Sequence, residues 1–483
     1  MLLGYILDPE RPQDGDQDIL RRLLLRLEGG GTRESLIRLT FPLGGRWVLL
    51  AARGQDRWLF NDPCGYRQIF YAQPPAKALW CASQPALLAQ VLPLEVDPEA
   101  QAFLREHRTK EPQYWWPGDT TLYRGVRHLQ PNHYLDLAAG ASHRYWPEVD
   151  LSARPTEEVL VENARLLQGL IDSASRRFEL ALGITAGWDT RTLLAASRPI
   201  ANRLYCFSLM YWGLTHNSPD IRVPARLLPR LGLAHHIIAC PSHASRKYAD
   251  ICRQSVTTAH SCYVPIAQGL QEGYPPERLC MHGTAMPIVN APGRRRIRRL
   301  RPEVDLENID ADILAWMTGR EDPFAREAIR RWYAGIGDTN VHVLDLFYWE
   351  DREGNWQAMG QAERDIAQDV FVPYNCRTFL INALCVREAD RCFPQRPFHK
   401  ALMHRLWPQV LDEELNPPAD PTPITTAIDF LSKLRGKVAK GGVSAYSTPV
   451  DRAFQRHPWL TDLERILTRG PGGDNACGAG TSE

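Results

Sequence analysis

No two cysteines of this chain stand in a Cys-x-x-Cys spacing. The eleven thiols run from Cys64 to Cys477 without regular intervals, which argues against a zinc site and a disulfide framework and for buried thiols in a reducing compartment. Neither sign of charge is in excess: 57 Lys and Arg face 56 Asp and Glu, a formal charge of +1. Nothing global therefore points to nucleic acid or to an anionic membrane. No segment approaches the roughly 20 apolar residues of a membrane span. The start, Met1 to Glu10, has no basic leader and no long apolar core, so the chain reads as soluble and cytoplasmic. No internal repeat is present.

What the chain does have is length. Its 483 residues exceed one ordinary domain, and a prior of roughly 150 residues per domain suggests two or three. Residues 1 to about 145 carry short apolar runs at hairpin spacing, Arg46–Ala52, Arg57–Phe60, Gln68–Ala72 and Leu79–Ala82, which predict stacked antiparallel sheet. Asp62-Pro63-Cys64-Gly65 reads as a turn between two of them. A helix is predicted from about Glu157 to Arg177. A strand at 180, a helix at 191, a strand at 203–208, a helix at 221–231 and a strand at 235–238 then give a βαβαβ order, hence a parallel sheet. The segment from about 305 to 415 reads as mainly helical, and the Gly-rich end from Arg469 as disordered.

The most informative stretch is Thr185-Ala186-Gly187-Trp188-Asp189-Thr190, where a buried strand turns into a helix. Such a turn offers free backbone N–H groups and the positive end of a helix dipole to phosphate. Thr185 and Thr190 add hydroxyls, Gly187 allows close backbone approach, and Asp189 supplies a hard oxygen suited to Mg²⁺. An ordinary strand-to-helix loop with an Asp cap is the plain alternative. Arg294 to Arg299 with Arg301 is the densest basic run, read as a solvated loop or as a dock for an acidic substrate.

These residues, taken together, resemble the asparagine synthetase family, including its β-lactam and lasso-peptide relatives. Asp62-Pro63-Cys64-Gly65 with Ile69-Phe70-Tyr71, Cys81-Ala82-Ser83 with Ala86-Leu87-Leu88, and the long match Thr121 to Leu135 closing in Arg144-Tyr145-Trp146 carry the likeness in the first half. Thr185 to Thr190, Ser218-Pro219-Asp220, Leu231 to His236 and Val372-Pro373-Tyr374 carry it in the second. The resemblance implies a degenerate glutaminase-like, Ntn-hydrolase-like domain over 1–150, an ATP-pyrophosphatase domain of α/β type with a helical C-terminal part over 151–445, and a C-terminal segment over 446–483. It also implies a chemistry: ATP activates a carboxylate as an acyl-adenylate, pyrophosphate leaves, and an amine attacks to give an amide and AMP. ATP and Mg²⁺ are the implied cofactors, and a small-molecule or peptide carboxylate and amine the implied partners; a homodimer is compatible. In this reading Thr185, Ala186, Gly187, Asp189 and Thr190 hold pyrophosphate, Ser208 marks where backbone meets adenine, and Asp189 and Asp220 hold the metal. Asp369 falls on the family's catalytic carboxylate, with Glu363 and Asp365 close by on what reads as one helix. Asp365 and Asp369, at i and i+4, would share a face and raise one another's pKa; a solvated acidic face is the alternative.

Three departures qualify the chemistry. Leu2 and Leu3 stand where the family's nucleophilic Cys begins the glutaminase, so glutamine hydrolysis is not expected and ammonia or a substrate amine must supply nitrogen. The family's second metal-binding turn falls on His282 to Pro287, without its carboxylates. No Lys matches the one that stabilises the adenylate; Lys433, Lys437 and Lys440 come only later. The expected activity is thus a glutamine-independent, AMP-forming carbon–nitrogen ligase of a biosynthetic pathway. The alternatives are a catalytically dead binding or scaffold protein that keeps the fold, and an enzyme that stops at the adenylate.

Overall fold

The computed structural model describes residues 1–418 apart from 75–77, 111–112, 149, 291, 320–321 and 393–394. The later lysines, Cys477 and the segment from 446 onward lie outside the described residues. The strands are β1 (Leu2–Leu7), β2 (Gly44–Arg53), β3 (Asp56–Asn61), β4 (Phe70–Ala72), β5 (Trp80–Ala82), β6 (Val126–His128), β7 (His133–Asp136), β8 (Ala141–Arg144), β9 (Glu179–Gly183), β10 (Tyr205–Met210), β11 (His236–Ala239), β12 (Arg278–Met281) and β13 (Val370–Phe371). They form two antiparallel sheets and one parallel sheet.

The first half is a layered sandwich because its strands are apolar on both faces. On β2, Trp47 and Leu49 pack with Ile19, Leu23 and Leu27 of the helix Asp16–Glu28. Val48, between them in sequence, points the other way and packs with Ile69, Tyr71 and Leu129 of the second sheet. That second sheet, ordered β5-β4-β6, in turn covers Leu88 of the helix Pro85–Val91. The Asp62–Gly65 turn forms as predicted, closed by the Gly65 N–H on the Asp62 carbonyl at 2.9 Å with Gly65 at φ +67. It does not join neighbours within one sheet, however. It carries the chain from β3 in the five-stranded sheet to β4 in the three-stranded one.

The parallel sheet has the order β11-β10-β9-β12-β13, so the chain steps outward from β9 in one direction and later in the other. The carboxyl end of β9 is therefore the topological switch point, where open α/β sheets leave a crevice. Period-2 alternation again fixes the faces: Leu180 and Leu182 enter the largest core with the helices Thr156–Ser175 and Trp188–Ala196, while Ala181 packs with Phe207 and Cys280 on the other side. Among the described residues no helix is long and apolar enough to cross a membrane.

The two halves share the largest apolar core, where Leu7, Cys64, Tyr66 and Trp146 pack with residues of the second half, and polar contacts tie them further. Tyr5 donates to the Val370 carbonyl at 2.7 Å, and Asn375 bridges Asp62 and the Gly45 carbonyl at 2.8 and 3.0 Å. A π-helix, Tyr348–Gln357, lies against the first half and buries Glu350, Asp351 and Glu353. A wide i→i+5 turn of this kind shifts side-chain directions by a fraction of a turn. Each acid is answered by a different element: Glu350 by Arg144, Asn132 and Trp332, Asp351 by Trp115 and Gly118, and Glu353 by Tyr66.

Candidate functional site

Ile184 follows β9, and the helix begins at Trp188, three residues earlier than its composition suggests, with Gly187 as its N-cap. The turn between them closes on itself. Thr185 N–H donates to Thr190 Oγ1 at 3.2 Å, Ala186 N–H to Asp220 Oδ1 at 3.0 Å, and Gly187 N–H to Thr185 Oγ1 at 3.0 Å. The expectation of free N–H groups across the turn is thus corrected: these are held by side chains, because a tight turn at a switch point must satisfy its donors locally. The groups that remain for an anion are those of the helix's first turn, which no intrahelical acceptor reaches.

Asp189 is the chemically unusual residue. Its Oδ1 is buried with no hydrogen-bond partner, and burial raises its pKa to about 6 against the opposing pull of Arg396. Gly283, in the loop after β12, closes over it; a Cβ there would come within 3.0 Å of the Asp189 Cβ and 3.2 Å of the Thr190 nitrogen. Asp220 is beside the turn, but one of its oxygens is spent on Ala186. Ser208 is on β10 and buried, its hydroxyl donating to the Ile184 carbonyl at 2.7 Å and meeting His235 Nε2 at 2.9 Å. Its side chain thus braces the turn's entry.

The three carboxylates at 363 to 369 are not assembled at the turn. The helix Ala358–Arg364 ends before Asp365, and Asp369 is in the extended segment entering β13, so the shared helical face does not exist. Just past the helix, Arg46 holds Asp365 through both guanidinium nitrogens. Glu363 is buried, holding His260 through its backbone N–H at 2.9 Å and Nδ1 at 2.8 Å. Val370 pairs with Cys280, and Cys280 with Ala181, so Asp369 is level with Leu180, near the start of β9. At about 3.3 Å per residue, that is roughly 15 Å along the strands from Thr185.

Sequence spacing did not reveal another buried carboxylate. Glu353, on the π-helix, is fully buried; Tyr66 donates to Oε2 at 2.7 Å while Oε1 has no partner. Burial raises its pKa to about 7, and the negative charge of Asp189 adds to the rise. Tyr348, one turn earlier, also feels Asp189 and is pushed up chiefly by burial. Glu353 is thus within electrostatic reach of Asp189 and beside the Ala285 backbone of the turn that lacks acids of its own. Ala285 adopts φ +68, a conformation that L-residues seldom hold.

Positive charge comes from the segment after Val372-Pro373-Tyr374. Arg396 and Lys400 bracket the Trp188 ring at 5.5 and 5.7 Å, and Arg396 Nε is buried without a partner. The basic run at 294–299 is not a loop. It forms the helix Pro292–Leu300, and Arg294 is buried against Asp345, which also receives Arg391 at 2.9 Å. Residues 410–416 lie across the turn, with Asn416 N–H donating to the Ala186 carbonyl at 3.0 Å and Arg191 donating to the Glu413 carbonyl at 2.7 Å.

Beneath Trp188, His399 is wholly buried and neither ring nitrogen has a partner, so burial lowers its pKa to about 3. The unfolded chain takes up this proton below pH about 6.5 and the folded chain does not, so wild type loses stability as pH falls from 6.5 toward 3. His399→Leu removes that slope. Chemical denaturation at pH 7 and 5 should show the variant gaining on wild type by about 1.4 kcal/mol per pH unit below 6.5.

Asp189, with a buried oxygen that no protein donor meets and a raised pKa, has the hard, charge-bearing donor that an Mg²⁺ ion would take. Among the described residues no group of three or more His, Cys, Asp or Glu forms a complete metal shell. That suits Mg²⁺, which takes one or two carboxylates and completes its shell with phosphate and water. No family model matches this chain. No curated protein matches it. Among solved structures, the glutamine-dependent NAD+ synthetase from Acinetobacter baumannii in complex with adenosine diphosphate is similar at 14% identity and a TM-score of 0.19, over 53% of this chain and 55% of that one. This chain thus spans about half the length of that protein, and a likeness so slight carries no argument about function.

Proposed function

We propose that this chain is an ATP-dependent, glutamine-independent ligase that joins a carboxylate to ammonia or a substrate amine with release of AMP and pyrophosphate. The observation that carries the reading is the pair Asp189 and Glu353: two carboxyl groups with raised pKa and one partnerless oxygen each, at the switch point of a parallel sheet. Thr185 and Thr190 exchange their mutual contact for phosphate oxygens, and the first-turn N–H groups of the helix Trp188–Ala196 meet the same anion. Arg396 and Lys400 supply counter-charge that the missing Lys would have given. Asp189 would hold Mg²⁺, with Asp220 behind it, and the ion would neutralise charge on the leaving pyrophosphate. Glu353, at a pKa of about 7, is matched to removing a proton from an amine near neutrality.

Calorimetry with ATP and Mg²⁺ tests the reading. Wild type should bind, and Asp189→Ala should weaken binding by about 100-fold, near 2.7 kcal/mol. Absence of binding by wild type sinks the proposal. A second reading, a nucleotide-binding protein without catalysis, is favoured by the scattering of Glu363, Asp365 and Asp369 and by the segment 410–416 over the turn. Binding with no AMP or pyrophosphate from any carboxylate and amine pair would select it.

A further inference from the structure

The densest basic run of the sequence becomes one face of a helix. Pro292–Leu300 contains five arginines and no acid. Its core side is fixed: Gly293 and Ile297 are buried, and Arg294 is held under the surface by Asp345 at 2.6 Å and Glu388 at 2.9 Å. That anchor sends Arg295, Arg296, Arg298 and Arg299 outward, and all four are exposed. Arg295 and Arg299 are one turn apart and form a stripe, with Arg298 and Arg296 on its two sides. Arg296 and Arg301 lie over the Trp316 ring at 5.9 and 5.4 Å, so part of this charge is held in place.

Few acids pair with the run. Asp345 is spent on Arg294 and Arg391, Glu388 is divided between Arg294 and, at 3.8 Å, Arg298, and Glu303 answers Arg301. Arg299 has no acid partner among the described residues. The excess of positive charge extends toward the turn at 185–190. Burial, helped by the charge of Arg295, lowers the pKa of Arg396, so the two guanidinium groups are within electrostatic reach, and Arg396 and Lys400 in turn bracket Trp188. The helix also narrows the kind of partner. A membrane needs apolar side chains to insert, and Leu300 is the only large exposed one here. Single-stranded nucleic acid needs rings on which bases stack, and the helix carries no aromatic residue. An acidic polypeptide needs only carboxylates one helical turn apart, which matches the spacing of Arg295 and Arg299.

We propose that the outer face of the helix Pro292–Leu300 is a docking surface for an acidic polypeptide segment, whose carboxylates engage Arg295, Arg298 and Arg299. The surface does not depend on the nucleotide reading. Fluorescence anisotropy on the full chain provides the test, with a dye-labelled alanine peptide of about 20 residues that carries Glu at every fourth position. At about 50 mM salt the peptide should bind wild type and Asp189→Ala alike, and at about 200 mM its affinity should fall severalfold, because these charges are exposed and screened. Reversing the stripe with Arg295→Glu and Arg299→Glu together should weaken binding by about tenfold or more. Arg21→Glu with Arg26→Glu, an equal change of charge on the helix Asp16–Glu28, should leave it unaltered. No binding to wild type, undiminished binding in the Arg295 and Arg299 double variant, or an equal loss in both double variants overturns the proposal. So does tighter binding of single-stranded RNA or of phosphatidylserine vesicles than of the peptide; these wild-type comparisons decide even where a variant does not fold.

Discussion

Replacing Glu350 with alanine should destabilise the protein by about 3–5 kcal/mol, the largest effect of any single change at a buried acid here. Glu350 is fully buried, receives Arg144 through both guanidinium nitrogens, and accepts from Asn132 Nδ2 and Trp332 Nε1 at 2.8 Å each. Alanine leaves a largely buried guanidinium and two N–H donors without partners, and each unmet group costs its desolvation rather than the modest net value of a bond. Glu350→Gln keeps the shape and part of the bonding while removing the charge, so it should cost less than the alanine change. Arg144→Ala and the double variant complete the cycle: coupling makes the double change cheaper than the sum of the singles. Midpoints of guanidinium denaturation for the four proteins decide the matter. Losses below about 1 kcal/mol for Glu350→Ala would show that water reaches this site and that the network is not the seam described.

Glu353→Gln should stabilise the ligand-free protein at pH 8 and leave it little changed at pH 5. A carboxyl whose folded pKa is raised to about 7 from 4.5 binds its proton more tightly in the folded state. That contribution is fully present below the unfolded pKa and is lost as pH rises through 7, so at pH 8 the wild type carries the cost of a buried charge that the Tyr66 hydrogen bond offsets only in part. At 1.36 kcal/mol per pKa unit the cost is of order 3 kcal/mol, an upper figure because the shift includes relaxation of the pocket. Asp189→Asn should behave in the same sense between pH 4 and 6, by somewhat less, since its rise from 3.8 to about 6 is the smaller of the two. Binding of ATP with Mg²⁺ should run the other way. It requires the ionised forms, so wild-type affinity should rise at least tenfold from pH 5 to pH 8, and Asp189→Asn should lose both the affinity and the slope. Thermal melts with and without ATP and Mg²⁺ across that range measure both halves. A variant less stable than wild type at pH 8 would mean that the ionised Glu353 is satisfied in solution by partners beyond Tyr66 and is not the raised-pKa base described.

The turn at 185–190 was legible because its parts are contiguous. A strand of Leu and Ala, a glycine and a threonine pair lie within a dozen residues, and although Asp220 and Asn416 brace the turn from elsewhere, its strand, break and helix are set locally. The parallel sheet was legible for a similar reason, since apolar runs alternating with helical periods leave few ways to cover both faces. Asp365 and Asp369 misled because i, i+4 spacing is informative only inside a helix, and that helix ends at Arg364, with Asp365 paired to Arg46, more than 300 residues away in sequence. Arg294 misled similarly: within a run of arginines it looks solvated, yet Asp345 and Glu388 draw it under the surface.

By itself, then, the sequence determined the antiparallel strands at 46–82, the helix at 157–177 and the βαβαβ run of the parallel sheet, because period-2 and period-3.6 burial patterns are written in neighbouring residues; it did not give β1, β6 to β8, β12, β13 or the π-helix. It also identified Asp189 as a carboxylate at a strand-to-helix turn. Only the tertiary structure decided that one Asp189 oxygen would be left without a partner and that a second buried carboxyl, Glu353, would come within electrostatic reach of it. Those outcomes depend on which distant elements exclude water from a group and which supply it with a partner, and burial and pairing are properties of the packed chain that no local stretch contains.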